Sequence, residues 1–255
     1  MSTPHAANAG HCQVWWASPV VETPRLLGLL DGVERDRHGA YHRKIDQARF
    51  LAGRVVGKAL VARRLGVEPE AVQLDSTCRD CGRAHGKPRV VAPDGHPPDR
   101  PLPELSISHS GDLIAVAITD GVPVGVDVEQ ERDVQVDDLV RMTLSPDELP
   151  DFAGVPSADR DAAFFTIWSR KEAVLKATGR GLAIAMTKVT VTPWNKPPQV
   201  LASRSPEVDV AALRMAQLND AGSGYRACVA VLAGPDFPTD GWVTEHDAAP
   251  LVAAL

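Results

Sequence analysis

Three segments of the chain carry apolar residues at the spacing of an amphipathic helix. Residues 41–65 predict one long helix that ends before Gly66. Residues 159–178 predict a second, with Gly179 placed as a C-terminal cap glycine. A shorter helix is predicted over residues 137–152, with an internal start at Ser145-Pro146.

Shorter segments have the alternating or β-branched pattern typical of strands. Residues 113–119 and 122–129 predict a hairpin, because the intervening Asp120-Gly121 is a strong turn signal. Further strands are predicted over residues 105–111, 188–192 and 226–233. Loops are predicted over residues 88–103, which hold six prolines, and in the polar or proline-rich tail after Gly234.

The order of these elements groups strands beside helices instead of alternating them strictly. This order favours an α+β fold over a doubly wound sheet. The sequence shows no internal repeat, and a boundary near Pro123 is compatible with two structurally similar halves, residues 1–123 and 124–255.

Composition narrows the class of protein. The chain has 255 residues, 44% of them hydrophobic, and a net charge of −6, which argues against a general nucleic-acid partner. No apolar run approaches the roughly 20 residues that span a bilayer, so no membrane partner is expected. Residues 1–10 lack the basic flank and apolar core of a secretory signal, and the expectation is a soluble cytoplasmic protein.

Two local features suggest ligands. Residues 35–64 hold nine Arg or Lys against two Asp, which suits either a phosphate-bearing ligand or a solvated helix face. Cys78 and Cys81 form a Cys-x-x-Cys pair with His85 nearby, whereas Cys12 and Cys228 are isolated. Structural zinc, a redox pair and a turn stabilised by cysteine packing all stay open for this cluster.

A cluster of carboxylates is the clearest chemical signal. Asp127 and Glu129 share one face of the strand, opposite Val126 and Val128. Glu172 and Lys176 lie one turn apart on the second long helix, together with Trp168. If this helix crosses the strand, three carboxylates and a lysine converge.

Convergence of like charges indicates a cation. Two carboxylates at 4 Å repel by about 1 kcal/mol in water and by about 4 kcal/mol at the dielectric of a protein surface. Mg²⁺ or Mn²⁺ prefers such oxygen ligands and also binds phosphate. The alternative is that Asp127 and Glu129 line a solvated strand face and Glu172 pairs with Lys176.

The motifs together resemble a known family. GVDVE at residues 125–129 and WSRKEAVLKA at residues 168–177 resemble the two signature motifs of the 4′-phosphopantetheinyl transferases, Sfp-type. GKP at residues 86–88 and SISHSG at residues 106–111 follow the family's order, and the resemblance runs from about Arg35 to the end, including GYR at residues 224–226.

The resemblance implies a pseudo-twofold α+β monomer with its active site between two similar halves. Residues 1–123 would bind the nucleotide end of coenzyme A, and residues 124–255 would hold the metal, the catalytic helix and the carrier-docking surface. The implied reaction moves 4′-phosphopantetheine from coenzyme A to a serine of an acyl or peptidyl carrier protein, and it releases 3′,5′-ADP. The carrier would belong to a polyketide, nonribosomal peptide or fatty acid synthase.

The resemblance also implies roles for residues. The metal ligands would be Asp127, Glu129 and Glu172, with Glu172 also the general base. Lys176 and Lys171 would meet phosphate oxygens. The residues implied to bind coenzyme A elsewhere are Arg49, Lys87, Pro88, Ser108 and His109.

Further implied roles are less direct. Glu148 matches a supporting glutamate of the family, or it stabilises a helix start. Leu182, Ile184 and Met186 lie where the family docks its carrier, although a buried strand edge explains their apolar character equally well.

Two other functions share the carboxylates. A Mg²⁺-dependent phosphohydrolase would use water in place of the carrier serine. A non-catalytic module would only bind coenzyme A or a carrier protein.

Overall fold

The computed structural model describes residues 10–132, 136–234 and 236–255. The prediction about a secretory signal falls on residues 1–10, of which 1–9 lie outside the described residues. The strands are β1 (Cys12–Ala17), β2 (Leu74–Asp75), β3 (Arg89–Val90), β4 (Pro103–Ser110), β5 (Leu113–Asp120), β6 (Val124–Gln130), β7 (Val189–Val191), β8 (Val200–Ser203), β9 (Leu213–Gln217), β10 (Tyr225–Leu232) and β11 (Val243–Asp247). The helices are α1 (Pro24–Gly28), α2 (Gly32–Gly39), α3 (Lys44–Leu65), α4 (Val136–Thr143), α5 (Leu149–Ala153), α6 (Arg160–Ala177) and α7 (Ala249–Ala253).

The chain divides into two compact units, one of residues 10–122 with Phe237–Leu255 and one of Pro123–Asp236. Both mix helices and strands, in agreement with the α+β prediction. The sequence places residues 237–255 in the C-terminal half, but they belong to the first unit, because β11 pairs in parallel with β1. A pseudo-twofold relation between halves stays a prediction.

The first unit is a four-stranded sheet covered by a long helix. The strand order is β11-β1-β5-β4, and α3 packs on the sheet through a core that includes Val56, Leu60 and Ile114. A Cβ on Gly53 would lie 2.8 Å from Ile107 Cγ2, so the helix approaches the sheet closely at a residue without a side chain. The long predicted helix is confirmed, and Gly66 ends it in the left-handed region at φ 72°.

The predicted hairpin of residues 113–119 and 122–129 is wrong. Gly121 does form a turn, with φ 73°, but β5 pairs with β1 and β4, whereas β6 pairs with β10. The hairpin partner of β5 is β4, joined through Gly111 at φ 55°. A turn signal therefore gave the correct local conformation, but it did not determine which strands pair.

The second unit is a three-stranded antiparallel sheet of order β6-β10-β9, on which α6 packs. Gly125 on β6 makes this packing possible, because a Cβ there would lie 2.0 Å from the Ala173 carbonyl oxygen and 2.4 Å from the Ala177 nitrogen. The backbones of α6 and β6 therefore touch. This contact sets the distance between the side chains that follow on each element.

The second long helix is confirmed as α6, and Gly179 follows it at φ 72°. The prediction of one helix over residues 137–152 is wrong, because the segment forms two short helices, α4 and α5. The predicted internal start at Ser145-Pro146 lies between them, and α5 begins at Leu149. Among the described residues, no helix combines the length and the apolar character that crossing a membrane requires.

Candidate active site

Asp127 and Lys176 form the centre of the site. Asp127 is only 3% exposed, on a strand whose neighbouring Val126 and Val128 are buried in the core. Lys176 Nζ donates to Asp127 Oδ1 at 2.6 Å and to the Val126 carbonyl oxygen at 3.2 Å. The helix therefore does cross the strand, and a buried carboxylate is neutralised by a lysine from the facing element.

Glu172 lies one helical turn before Lys176 and is 8% exposed. Burial raises the pKa of Glu172, and the negative charge of Asp127 raises it further, against the opposing effect of Lys176. Burial opposes the charge on Lys176, but the Asp127 and Glu172 carboxylates outweigh it and raise the pKa of Lys176. Glu129 contributes to the same field. The three carboxylates and the lysine are thus electrostatically coupled.

These pKa shifts give the two groups on α6 complementary properties. A carboxyl whose pKa is raised accepts a proton more readily than an ordinary surface glutamate. A lysine whose pKa is raised keeps its positive charge. The site can therefore take up a proton and stabilise negative charge within one helical turn.

Lys171 does not belong to this site, contrary to the expectation that it meets phosphate oxygens. It is fully buried, and its Nζ donates to Glu148 Oε2 at 2.5 Å, the Thr143 carbonyl oxygen at 2.8 Å and the Met186 carbonyl oxygen at 3.2 Å. Lys171 is five residues from Lys176, so the two side chains project from different faces of α6. Its position makes Lys171 a structural residue.

The Glu148 carboxylate accepts several hydrogen bonds of this buried network. Its Oε2 also accepts a hydrogen bond from the Ser145 nitrogen at 2.7 Å, and its Oε1 accepts one from the Val191 nitrogen at 2.7 Å. The carboxylate therefore ties the break between α4 and α5 to β7 and α6. This geometry agrees with the interpretation of Glu148 as a residue that stabilises a helix start.

Two residues expected at the nucleotide end of coenzyme A contact β4 or the turn that follows it. Arg49 donates to the Gly111 carbonyl oxygen at 2.7 Å and to Asp46 Oδ1 at 2.8 Å. Lys87 Nζ pairs with Glu104 Oε2 at 3.0 Å, and burial lowers the pKa of Lys87 while Glu104 opposes the shift. Glu104 and Gly111 are separated by roughly 20 Å along an extended strand. The structure therefore does not bring Arg49 and Lys87 into one cluster.

The other residues of this set occupy different environments. Ser108 is buried on β4, His109 is exposed near the end of the same strand, and Pro88 is half-buried directly before β3. His109 is thus close in sequence to the Gly111 turn that Arg49 holds. Ser108 and His109 are therefore near the Arg49 contact along the chain, and Lys87 with Pro88 lies in a different segment.

Two basic residues of α3 are internal, which sequence reasoning missed. Arg54 and Lys58 are almost fully buried, and Glu34 of α2 lies between them. Lys58 Nζ is 2.7 Å from Glu34 Oε2, and Arg54 Nε is 3.6 Å from Glu34 Oε1. These two cations therefore form internal ion pairs that are part of the fold. The polar pair at positions 54 and 58, one turn apart within an apolar stretch, was the available signal.

The expected carrier-docking segment is only partly exposed. Leu182 is 69% exposed, but Ile184 and Met186 are buried in the core of the second unit. The alternative explanation, burial, is therefore correct for Ile184 and Met186. Of the two nearby cations, Arg180 pairs with Glu207 at 2.7 Å and Lys188 is exposed.

The buried carboxylates and the lysine define an acid–base site that can act on an anionic group, and comparisons with known proteins identify its class. The model of the 4′-phosphopantetheinyl transferase superfamily matches residues 123–230. Sfp, a 4′-phosphopantetheinyl transferase of Bacillus subtilis, is 23% identical over 219 residues, which cover 86% of this chain and 89% of that protein. A phosphopantetheinyl transferase of Thraustochytrium sp. is 31% identical over 192 residues, 69% of this chain and 62% of that protein.

A solved structure, the holo-[acyl-carrier-protein] synthase of Thermotoga maritima, aligns with a TM-score of 0.36 at 20% identity, over 44% of this chain and 64% of that chain. This similarity is too low to define the arrangement of the fold. The family model and the sequence relatives agree on one class: the chain is similar to the enzymes of the 4′-phosphopantetheinyl transferase superfamily. The resemblance drawn from the sequence motifs is confirmed.

Proposed function

We propose that this enzyme transfers the 4′-phosphopantetheine group of coenzyme A to a serine hydroxyl of an acyl or peptidyl carrier protein. The observation that carries the proposal is the buried contact between Asp127 and Lys176, with Glu172 one helical turn away. Phosphoryl transfer needs positioning and neutralisation of the charge that spreads over the phosphate oxygens. The paired carboxylates and the lysine are groups of the kind this reaction requires.

The residues proposed to hold Mg²⁺ are Asp127, Glu129 and Glu172. Their donors are all carboxylate oxygens, which Mg²⁺ prefers, and Mn²⁺ has a similar preference. The donor set fits a cation because burial, with the charge of Asp127 as a smaller contribution, raises the pKa of Glu172, and a divalent ion would stabilise both carboxylates. When bound, the ion would supply neutralisation of the pyrophosphate charge of coenzyme A.

Glu172 is the proposed general base. Its carboxylate takes the proton of the carrier serine, directly or through one water, as the serine oxygen attacks the β-phosphorus of coenzyme A. A new bond forms between this oxygen and phosphorus, and the bond from phosphorus to the 3′,5′-ADP leaving group breaks. Glu172 then returns its proton to water. Lys176 keeps its positive charge because its pKa is raised, and it offsets the negative charge of the phosphates.

The first unit is proposed to supply contacts to the nucleotide end of coenzyme A. Ser108 and His109 lie near the end of β4, and Arg49 of α3 donates to the carbonyl oxygen of Gly111 just after this strand. These three residues are proposed to bind the 3′-phosphate. Lys87, followed by Pro88, is proposed as a further phosphate contact. Because Lys87 is paired with Glu104, it must exchange this partner for the phosphate.

The carrier protein is proposed to contact Leu182 and Lys188 of the second unit. Both are exposed, and the combination of an apolar and a basic side chain suits an acidic carrier helix. The monomeric state, the cytoplasmic location and the type of synthase that supplies the carrier stay predictions.

A carrier mass-shift assay tests the proposed reaction. The enzyme is incubated with coenzyme A, Mg²⁺ and a panel of apo-carrier proteins from the three types of synthase. A gain of one phosphopantetheine on the carrier supports transfer. Release of 3′,5′-ADP with an unmodified carrier would indicate a hydrolase, and no reaction with any carrier would indicate a binding module.

Substitution of the base tests the residue assignment in the same assay. Glu172→Gln is expected to lower kcat by about 10²–10⁴-fold, the usual contribution of a general base. The matched control is Glu70→Gln, which neutralises an exposed glutamate of the first unit and is expected to leave turnover unchanged. Normal turnover of Glu172→Gln would contradict the assignment.

A further inference from the structure

The loop between β2 and β3 contains a cluster that the proposed reaction does not use. The thiols of Cys78 and Cys81 and a ring nitrogen of His85 all lie within 4.8 Å of one another. Cys81 Sγ and His85 Nε2 are 2.9 Å apart. In tetrahedral zinc coordination, ligand atoms of these types are separated by roughly 3.5–3.8 Å. Small side-chain rotations therefore bring all three ligands to a single ion.

The backbone holds the two cysteines in a tight turn. The Cys78 nitrogen donates to the Arg83 carbonyl oxygen at 2.8 Å, and the Gly82 nitrogen donates to the Cys78 carbonyl oxygen at 3.0 Å. Gly82 has φ 70°, which residues other than glycine adopt only with strain. This turn directs both thiols to one side before any metal is bound, so little chain entropy remains to be lost on binding.

The loop is anchored beyond the turn as well. The Gly86 nitrogen donates to the Ser76 carbonyl oxygen at 2.7 Å, and a Cβ on Gly86 would lie 2.9 Å from the Thr77 carbonyl oxygen. Arg37 of α2 donates to the Ala84 carbonyl oxygen at 3.0 Å. His85 is thus held between two fixed points, and Lys87 follows directly after the second. An ion on the cluster would close the segment between the cysteine turn and Lys87.

The chemical type of the three ligands indicates which metal ion they bind. Two thiolates and an imidazole favour Zn²⁺ over Mg²⁺ and Ca²⁺, which prefer oxygen. The other two thiols of the chain, Cys12 and Cys228, are buried, and burial raises the pKa of each to about 12, so they stay protonated. Cys81 and His85 are exposed and thus open to a metal ion from solution.

We propose that Cys78, Cys81 and His85 bind one Zn²⁺ and that the ion fixes the loop that leads to Lys87. Three protein ligands leave one coordination position for water. The site is separate in chemistry from the carboxylate cluster, and the proposal does not rest on the proposed transfer reaction.

Cobalt titration tests the ligand set. The reduced, chelator-treated and desalted full-length protein is titrated with Co²⁺, and Zn²⁺ is then added in competition. The expected result is one Co²⁺ per chain with thiolate-to-cobalt charge-transfer absorption, which Zn²⁺ abolishes. This absorption distinguishes the site from carboxylates, because a carboxylate-bound Co²⁺ gives no such band. Absence of the band, or a Cys78–Cys81 disulfide that re-forms with no metal uptake, would overturn the proposal.

Variants of the proposed ligands test where the Zn²⁺ ion binds. Cys81→Ser and His85→Ala are each expected to weaken Zn²⁺ binding by more than roughly 100-fold, since loss of a ligand exceeds the effect of losing its supporting contacts. The matched controls are Cys12→Ala and His42→Ala, a buried thiol and an exposed imidazole outside the cluster. Wild-type affinity in Cys81→Ser or in His85→Ala would refute the assignment.

Hydrogen exchange tests the effect of the ion on the loop. Zn²⁺ is expected to slow amide exchange over residues 78–87 in the wild-type protein and to leave exchange in Cys81→Ser unchanged. Equal exchange with and without Zn²⁺ in the wild-type protein would overturn the role in fixing the loop. This outcome is independent of transferase activity, so its failure and that of the proposed function can be told apart.

Discussion

The substitution Lys171→Met tests whether Lys171 has a structural role or binds phosphate. Methionine is about as long as lysine and apolar, so the substitution removes the charge and three hydrogen bonds while it keeps most of the packing. The lysine is fully buried, with Glu148 Oε2 at 2.5 Å and the Thr143 and Met186 carbonyl oxygens at 2.8 and 3.2 Å. The substitution leaves the Glu148 carboxylate buried, with the backbone N–H groups of Ser145 and Val191 to stabilise it.

The expected loss of stability follows from the charge that Glu148 keeps without its lysine partner. Removal of one partner of a buried ion pair lowers the free energy of unfolding by about 3–5 kcal/mol. For a chain of this size, a loss of about 4 kcal/mol corresponds to a drop in Tm of about 8–16 °C. The double variant Lys171→Met with Glu148→Gln is expected to recover about 1–3 kcal/mol, because the amide no longer carries an unpaired charge.

The assay is urea unfolding followed by tryptophan fluorescence, since Trp168 and Trp194 pack against the core of the second unit. Lys188→Met, at an exposed lysine, is the control and is expected to change stability by less than about 0.5 kcal/mol. The KM for coenzyme A is measured for each variant below its unfolding transition. A loss of less than about 1 kcal/mol in Lys171→Met, with a raised KM, would refute the structural role.

Three further predictions concern packing and charge. Gly125→Ala places a Cβ against the backbone of α6 and is expected to cost 3 kcal/mol or more of stability by urea unfolding, about the upper end of overpacking effects, whereas Gly234→Ala has open space and is the control. In the presence of a chelator, Glu172→Gln is expected to be more stable than the wild-type protein at neutral pH, because a raised pKa means that the ionised carboxylate destabilises the folded state. This difference in the free energy of unfolding should vanish as the pH falls below 4.5, the pKa of an unfolded glutamate, and a difference that stays constant with pH would contradict the raised pKa. Glu34→Gln leaves Lys58 and its neighbouring arginine buried without a counter-charge, and a loss of about 3–5 kcal/mol is expected, against none for an exposed glutamate.

Periodicity within one element was a reliable guide to the site. The strand alternation that placed Asp127 opposite Val126, and the helical spacing that placed Glu172 beside Lys176, depend on backbone geometry that each element carries by itself. These two predictions needed no knowledge of the rest of the fold. The contact between Asp127 and Lys176 did, because it depends on the packing of α6 on β6 at Gly125.

Charge was a poor guide to exposure. Lys171 and Lys58 each lie on a helix with other basic residues, and the only local signal of burial is the apolar stretch around Lys58. Glu148 is 23 residues from Lys171, and Glu34 is 24 residues from Lys58, so each partner comes from a different element. A charged residue is buried only where such a partner is brought to it, and this depends on packing.

The sequence by itself determined local structure: two long helices and their glycine ends, and the side chains that share a face. The tertiary structure decided how these parts pair. It placed β11 beside β1, separated β5 from β6 despite the Asp120-Gly121 turn, and buried Ile184 and Met186. The physical reason is the distance along the chain over which each effect acts. Torsional preferences and periodicity act over a few residues, whereas strand pairing and burial depend on surfaces that distant parts of the chain supply.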